Sequence, residues 1–159
     1  MSQDKDVKLI DARGPRFGAV LTTVLLAAAL TTQSLPLILW QLAVFAIGAF
    51  AGPQKTPYAF IYRKFVKPRL SGDIPTEDIR QPQFAQAIGF LFALTASVSL
   101  ILDLTAVFSV AVGFALGAAF LNAAFNFCLG CEMYVLIARA RARFSKRELR
   151  EAAYNLPNL

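Results

Sequence analysis

The stretch FAQAIGFLFALTASVSLIL, residues 84–102, decides the fold of this protein. It carries no charged residue over the length of a membrane-spanning helix, which needs about 20 mostly apolar residues. Three further apolar runs, residues 17–32, 35–51 and 105–127, lie on either side of it. The 159-residue chain is 57% hydrophobic and 16% charged, whereas soluble domains are about half apolar and a quarter charged. We therefore predict an all-α integral membrane protein with four transmembrane helices.

Short polar turns pair the four runs into two hairpins. Gln33 and Ser34 separate the first two runs, and Asp103 lies between the last two. Runs of about 16 or 17 residues span roughly 25 Å at 1.5 Å per residue, a little less than a bilayer core. We therefore expect flanking residues to lengthen the first two helices.

The basic residues indicate how the chain crosses the membrane. All 16 lysines and arginines lie before the first run, between the second and third, or after the fourth. Neither hairpin turn carries one. Because cations collect on the cytoplasmic side, the sequence predicts an inner (plasma) membrane protein of a bacterium with cytoplasmic termini and a cytoplasmic central linker. The same rule accounts for the net charge of +6, so we expect no nucleic-acid partner.

Two basic segments are predicted to lie at the membrane surface. Residues 58–67 place apolar and aromatic side chains on one face of a short helix that ends at Pro68. Residues 134–155 are expected to form a basic C-terminal helix. We expect six cations of these segments to bind anionic membrane lipids: Arg63, Lys64, Lys67, Arg139, Arg143 and Arg147.

A motif that occurs twice indicates an internal repeat. The pattern Asp-x-Arg-x-Pro-x-Phe occurs at two places 67 residues apart, as Asp11, Arg13, Pro15 and Phe17 and as Asp78, Arg80, Pro82 and Phe84. A tyrosine follows the helix breaker of each half, Tyr58 in the first and Tyr134 in the second. Proline suits a first helical turn, so convergence of two helix starts is the alternative to duplication.

We predict one domain built of two parallel hairpin repeats, each followed by an interfacial helix. Residues 1–16 form a cytoplasmic lead, residues 17–70 the first repeat, residues 71–83 a linker and residues 84–155 the second repeat. The halves differ at the breaker, because only the second carries cysteines.

The candidate reactive groups are Cys128 and Cys131, spaced Cys-x-x-Cys at the cytoplasmic end of the fourth run. On a continuous helix both thiols would share a face. If Gly130 breaks the helix, Cys131 begins the next one, where helix N–H groups favour a thiolate. Simple packing of two small buried residues is the alternative.

Other chemistries have less support. With two cysteines and no histidine, one chain is not expected to bind a structural metal, which takes four ligands, although a homodimer would supply four thiolates. We expect no cofactor. Transport is weakly indicated, because the apolar runs contain Gln41, Asn122 and Asn126 but no charge.

The cysteine stretch with Tyr134, together with the motif at residues 11–17 and with Pro82-Gln83-Phe84, resembles a bacterial membrane family known as domain of unknown function 4395. The resemblance runs from about residue 11 to residue 143, and relatives are expected to carry glycine where this chain has Asn126. It implies a multi-span protein associated with thioredoxin-like or sulfurtransferase-like partners, but no settled activity.

Two functions follow as hypotheses. Cys128 and Cys131 would exchange electrons or sulfane sulfur with a cytosolic thioredoxin-like or sulfurtransferase-like protein. Alternatively, the protein is an accessory subunit of a larger membrane complex, with cysteines that only pack. Whether it is an enzyme stays open at this stage.

Overall fold

The computed structural model of the protein describes the backbone of residues 8–154 and the side chains of residues 8–147. The start of the predicted lead, residues 1–7, and the last residue of the predicted second repeat, residue 155, lie outside the described residues. The regular structure of the described residues is helical apart from two short strands, which confirms the predicted all-helical class.

Residues 8–154 contain six α-helices: α1 Arg13–Thr32, α2 Leu35–Ala46, α3 Pro57–Ile61, α4 Arg80–Ile101, α5 Thr105–Phe125 and α6 Leu129–Tyr154. The helices α1, α4 and α5 are long and apolar enough to cross a membrane. The helix α2 continues as a π-helical turn, Ile47–Ala51, and the two together form a shorter apolar helix.

The helices α1 and α4 begin at the arginine of each motif, so the proline of each motif lies in the first helical turn, as the sequence predicts. Asp11 Oδ1 accepts the backbone N–H of Arg13 at 3.0 Å, and Asp78 Oδ1 accepts that of Arg80 at 2.9 Å. Each aspartate therefore satisfies an N–H group that a helix start leaves without a partner. The motif is thus a helix start, and it supplies the extra length that the first apolar run lacked.

The two hairpin turns lie where the sequence predicts them. Gln33 and Asp103 both adopt the left-handed conformation, with φ of 47° and 57°. A single left-handed residue reverses the chain after a helix, so α1 joins α2 and α4 joins α5 through very short connections.

A two-stranded antiparallel sheet was not predicted, because strands of three residues leave no alternation to detect. It pairs β1, Leu9–Asp11, with β2, Thr76–Asp78. Ile10 lies opposite Glu77. Two more backbone bonds extend the pairing, from Ala12 N–H to the Pro75 carbonyl at 2.9 Å and from Ile79 N–H to the Lys8 carbonyl at 3.1 Å. The lead and the linker are therefore joined.

The hydrophobic core lies between α1, α2, α4 and α5. The first helix of each hairpin packs against the second helix of the other, α1 on α5 and α4 on α2. The buried residues at their centre are Leu26, Ile38, Phe45, Ala93, Ala96, Phe108, Ala111, Val112 and Ala115. Gln41 is fully buried beside them and donates to Thr22 Oγ1 at 3.2 Å, which gives this amide a packing role.

The segment after α2 is helical as predicted, but it is not one regular helix. The helix α3 continues as the π-helical turn Tyr62–Val66 and ends in a 3₁₀ turn, Lys67–Arg69. Of the predicted apolar face, Tyr58 and Tyr62 are buried against the protein, whereas Ile61 and Phe65 are exposed. The two tyrosines therefore fasten this segment to the bundle.

Candidate functional site

The break between α5 and α6 positions the two cysteines. After α5 ends at Phe125, Asn126 adopts a left-handed conformation with φ of 55°. Glycine suits this conformation best, and asparagine tolerates it better than most side chains. Asn126 thus fills the conformational role of the glycine expected in relatives, and it turns the chain toward Cys128.

Cys128 caps the N-terminus of α6. Its carbonyl accepts the Glu132 N–H at 3.0 Å, and its Sγ accepts the Cys131 N–H at 3.3 Å. The sulfur therefore lies at the positive end of a helix of 26 residues, where free N–H groups and the helix dipole favour negative charge. A thiolate at Cys128 would be stabilised by this position.

A disulfide joins Cys128 and Cys131, whose Cα atoms lie 5.1 Å apart. The helix break at Asn126 comes before both cysteines, so neither a helix continuous with α5 nor a break at Gly130 is found. Cys131 is 8% exposed, whereas Cys128 is only half-buried. An incoming group therefore reaches the sulfur of Cys128 more easily.

Gly130 brings the first turn of α6 against α4. A Cβ atom on Gly130 would lie 2.6 Å from the Cβ of Ala85 and 2.7 Å from its Cα. These distances are far below van der Waals contact, so only glycine fits. The lack of a side chain at Gly130 is what lets the first turn of α6 lie close to α4.

The disulfide lines a cavity of about 440 Å³ between α1, α4, α5 and the start of α6. Much of the wall is apolar, with the rings of Phe92 and Phe114 stacked 6.2 Å apart between centroids. Asn122 and Asn126, which the sequence analysis associated with transport, lie on this wall. The polar side chains that line the cavity near the cysteines are Glu77, Gln81, Gln86, Asn122, Asn126 and Glu132.

Glu77 is a half-buried acidic residue on the wall of this cavity. Burial, and then the negative charge of Asp11, raise the pKa of Glu77 to about 7. Its Oε1 atom is shielded from solvent and has no hydrogen-bond partner. The sequence analysis missed Glu77, which looked like an ordinary linker acid. Glu77 lies 67 residues after Ile10, which is the spacing between the two motifs. That spacing was the sequence signal that could have drawn attention to Glu77.

The corresponding region of the first half holds a second cavity, of about 290 Å³. Asp11 lies on its wall, and Asp11 Oδ2 accepts the Tyr62 hydroxyl at 3.0 Å. Burial raises the pKa of Asp11, but hydrogen bonds from Arg13 and Tyr62 and the charge of Arg13 outweigh it and hold that pKa below its usual value. The described lining of this cavity contains no cysteine.

A tyrosine packs on the phenylalanine of each motif. The ring centroids of Phe17 and Tyr62 are 5.8 Å apart, and those of Phe84 and Tyr134 are 5.9 Å apart. Tyr62, and not the Tyr58 expected from the sequence, makes the contact in the first half that resembles the contact of Tyr134 with Phe84. Proline and phenylalanine of both motifs lie within the first turns of α1 and α4.

The predicted lipid-binding cations lie on the surface, apart from the cavity. All six are exposed, three on the segment after α3 and three on α6. Lys64 also lies over two exposed rings, with its Nζ 5.9 Å from the centroid of Phe60 and 5.6 Å from that of Phe65. The described part of the chain contains no group of acidic or cysteine side chains that could hold a metal ion.

The profile of one protein family matches residues 10–139. The match includes both Asp-x-Arg-x-Pro-x-Phe motifs, the disulfide and Glu77. The chain belongs to the family described as domain of unknown function 4395 (DUF4395). This confirms the resemblance found in the sequence. No curated protein and no solved structure matched this DUF4395 chain.

Proposed function

We propose that this DUF4395 protein is a four-span inner-membrane protein whose Cys128–Cys131 pair exchanges electrons with a cytosolic thioredoxin-like dithiol protein. The observation that carries the proposal is the disulfide at the N-terminus of α6. Sulfane-sulfur relay with a sulfurtransferase-like partner would use the same pair, but a disulfide is the oxidised form of a dithiol and favours electron exchange.

The unequal exposure of the two sulfurs supports exchange in a definite order. A partner thiolate attacks the half-buried Cys128, forms a mixed disulfide with it and releases Cys131 as a thiolate. A second partner thiolate then attacks the mixed disulfide at the partner sulfur, so Cys128 leaves. The helix N-terminus stabilises the thiolate that forms at Cys128.

Single cysteine variants test this function. We expect Cys131→Ser, expressed at the native level, to trap a mixed disulfide between Cys128 and a cytosolic dithiol protein. Cys128→Ser should trap about tenfold less, because Cys131 is nearly inaccessible. Non-reducing gels and mass spectrometry of the captured species measure the difference. If neither variant traps a partner and both Cys→Ala variants keep full cellular function, the disulfide has only a structural role.

The four-span topology is supported by the helix lengths and by the cations. Three helices have the length and apolar character of spans, and the apolar helix Leu35–Ala51 returns directly from α1. The apolar helix is long enough for about 25 Å, so local thinning or flanking residues would complete the crossing. The cations of the linker and of α6 would then lie on the cytoplasmic side.

Cysteine labelling tests the topology. In a background without Cys128 and Cys131, we expect a membrane-impermeant thiol reagent applied from outside to label a cysteine introduced at Ser34. A cysteine at Ser71, in the exposed linker, should be labelled only after the membrane is opened. The opposite pattern would reverse the orientation, and labelling of both positions from outside would contradict four spans.

The repeat is supported by the way the two halves meet. The offset of 67 residues relates Ile10 to Glu77, and the sheet pairs these two residues with each other. The same offset relates Ala12 to Ile79 and Lys8 to Pro75. The bond from Ala12 N–H to the Pro75 carbonyl therefore corresponds to the bond from Ile79 N–H to the Lys8 carbonyl. Such pairing is typical of a twofold axis through the sheet, and the packing of α1 on α5 and of α4 on α2 fits the same axis.

The rival function is an accessory subunit of a larger membrane complex. It is favoured by the outer part of α6, where Leu136, Ile137 and Phe144 are exposed among the arginines. A second subunit, or a second copy of the chain, would cover these side chains. In that case the disulfide would only fix the start of α6.

A further inference from the structure

The wall of the cavity beside the disulfide carries one half-buried carboxyl, that of Glu77. The residues that α1, α4 and α5 contribute to its described wall are all uncharged. Glu77 of β2 and Glu132 of α6 are the acidic residues there, and Glu132 is exposed. The titratable groups that meet at the cavity are therefore Glu77, Glu132 and, once reduced, the two cysteines.

The sheet directs Glu77 inward. Residues that lie opposite each other in an antiparallel pair have side chains on the same face, and Ile10, opposite Glu77, is 5% exposed. The chain thus has a carboxyl on the face where the first half has an apolar side chain. Burying a carboxyl that lacks a hydrogen-bond partner costs stability, which is typical of a residue kept for function.

Two differences between the halves lie at this one cavity. The second half has cysteines where the first has the breaker Ala51, Gly52 and Pro53, and it has Glu77 where the first has Ile10. The cavity of the first half, with Asp11 on its wall, has neither. The carboxyl and the disulfide therefore occur together, on the wall of the same cavity.

We infer that Glu77 donates and accepts the proton that the Cys128–Cys131 pair needs when it is reduced and reoxidised. This inference rests on the proposed function and adds the proton path to it. The cavity has room for water molecules, and the amides of Gln86, Asn122 and Asn126 on its wall can hold them. A proton can therefore pass between Glu77 and the sulfurs through water rather than by direct contact.

Reduction transfers two electrons from a dithiol partner to the disulfide of Cys128 and Cys131. A dithiol partner attacks Cys128 Sγ as a thiolate, the bond between Cys128 and Cys131 breaks, and its electron pair leaves on Cys131 Sγ. Cys131 is largely shielded from bulk solvent, so its thiolate takes a proton that comes from protonated Glu77 through the cavity. The partner's second thiolate then releases Cys128, the partner becomes a disulfide, and the pair ends as two thiols, with Cys128 protonated from solvent.

Reoxidation reverses the proton transfer. The Cys128 thiolate first attacks the disulfide of an oxidised partner, forms a mixed disulfide with one partner sulfur and releases the other as a thiolate. The Glu77 carboxylate then accepts the proton of the Cys131 thiol, and the Cys131 thiolate attacks Cys128 Sγ and releases the second partner thiolate. A pKa of about 7 leaves Glu77 partly protonated at neutral pH, as both directions require. Burial raises the pKa of Glu77 first, and the negative charge of Asp11 raises it further. Asp11 stays ionised because of its bonds to Arg13 and Tyr62.

Replacement of Glu77 by glutamine tests the inference in the full-length protein, in detergent or in liposomes. The probe is dithiothreitol, and the reduction rate is divided by the fraction of probe thiolate at each pH from about 5.5 to 9. For the wild type we expect the corrected rate to fall by about tenfold or more as the pH rises through about 7, because Glu77 loses its proton. At every pH, Glu77→Gln should show the low corrected rate that the wild type reaches only once Glu77 has lost its proton.

The matched control is Glu132→Gln, which removes an exposed carboxylate from the first turn of α6. It should keep the pH dependence of the wild type. If Glu77→Gln and the wild type have the same profile, the inference about Glu77 is overturned while disulfide exchange stands. If dithiothreitol does not reduce the folded wild type at any pH, the proposed function itself fails.

Thermal unfolding provides an independent readout of the titration. In the fold the pKa of Glu77 is raised from 4.5 to about 7, so the folded state holds the proton more tightly than the unfolded state. The stability from this group is complete below pH 4.5 and is lost as the pH rises to about 7. We therefore expect Glu77→Gln to unfold a few degrees higher than the wild type at about pH 8, and not at about pH 5. Equal shifts at both pH values would contradict the inference.

Discussion

Replacing Gly130 by alanine is expected to destabilise the protein by about 1–3 kcal/mol and to expose the disulfide. The new Cβ would lie 2.7 Å from the Cα of Ala85, and a backbone atom of α4 cannot rotate away as a side chain can. The first turn of α6 must therefore move off α4. Each 1.4 kcal/mol lost from this contact should raise the rate of reduction by dithiothreitol about tenfold. Thermal unfolding in detergent and reduction kinetics measure the two effects.

The matched control is Gly113→Ala, the same change in α5 at a site with no atom within 4 Å of the added carbon. This variant should be as stable as the wild type or slightly more so, because alanine favours a helix by about 1 kcal/mol over glycine. Adding Ala85→Gly to the Gly130 variant should restore part of the stability, since it removes the Cβ but not the Cα. Equal stability of the two alanine variants would mean that α6 does not need close contact with α4.

The helices could be predicted because their pattern is long and repeated. Apolar runs of about 20 residues have few alternatives to a membrane helix, and the turns at Gln33 and Asp103 were visible as polar interruptions. The exact starts were not visible, because a capping aspartate acts on the N–H group two residues later. Asp11 and Asp78 were correctly singled out as motif residues, and Asp11 also forms an ion pair with Arg13 at 3.3 Å, but their bonds to the first N–H groups of α1 and α4 were not foreseen.

The site could be predicted only in part. Cys128, Cys131 and the asparagines are adjacent in the sequence, so their proximity followed from helical spacing. Glu77 reaches the same cavity through a pairing of β1 with β2, and contacts between distant short strands leave no local pattern. The capping role of Cys128 was also hidden, because it depends on the left-handed turn at Asn126.

Replacing Gln41 by leucine is expected to destabilise the protein by about 1–3 kcal/mol, although leucine is apolar and similar in size. Gln41 is fully buried, its Oε1 accepts the Tyr58 hydroxyl at 3.0 Å, and its amide donates to Thr22. These bonds join α1, α2 and α3. The leucine variant would leave the Tyr58 hydroxyl buried without a partner, which costs more than the bond itself contributes. Thermal unfolding in one detergent at fixed protein concentration measures the loss.

A double variant separates the cost of leaving the Tyr58 hydroxyl without a hydrogen-bond partner from the loss of packing at Gln41. Tyr58→Phe removes the hydroxyl, so Gln41→Leu combined with Tyr58→Phe should recover much of the stability that Gln41→Leu loses. Thr22 needs no compensation, because a helical threonine can donate to the backbone of its own preceding turn. If the double variant is as unstable as the sum of the two single changes, Gln41 acts through its shape rather than through these bonds. Recovery would instead mean that a buried amide fastens the interfacial segment to the first hairpin.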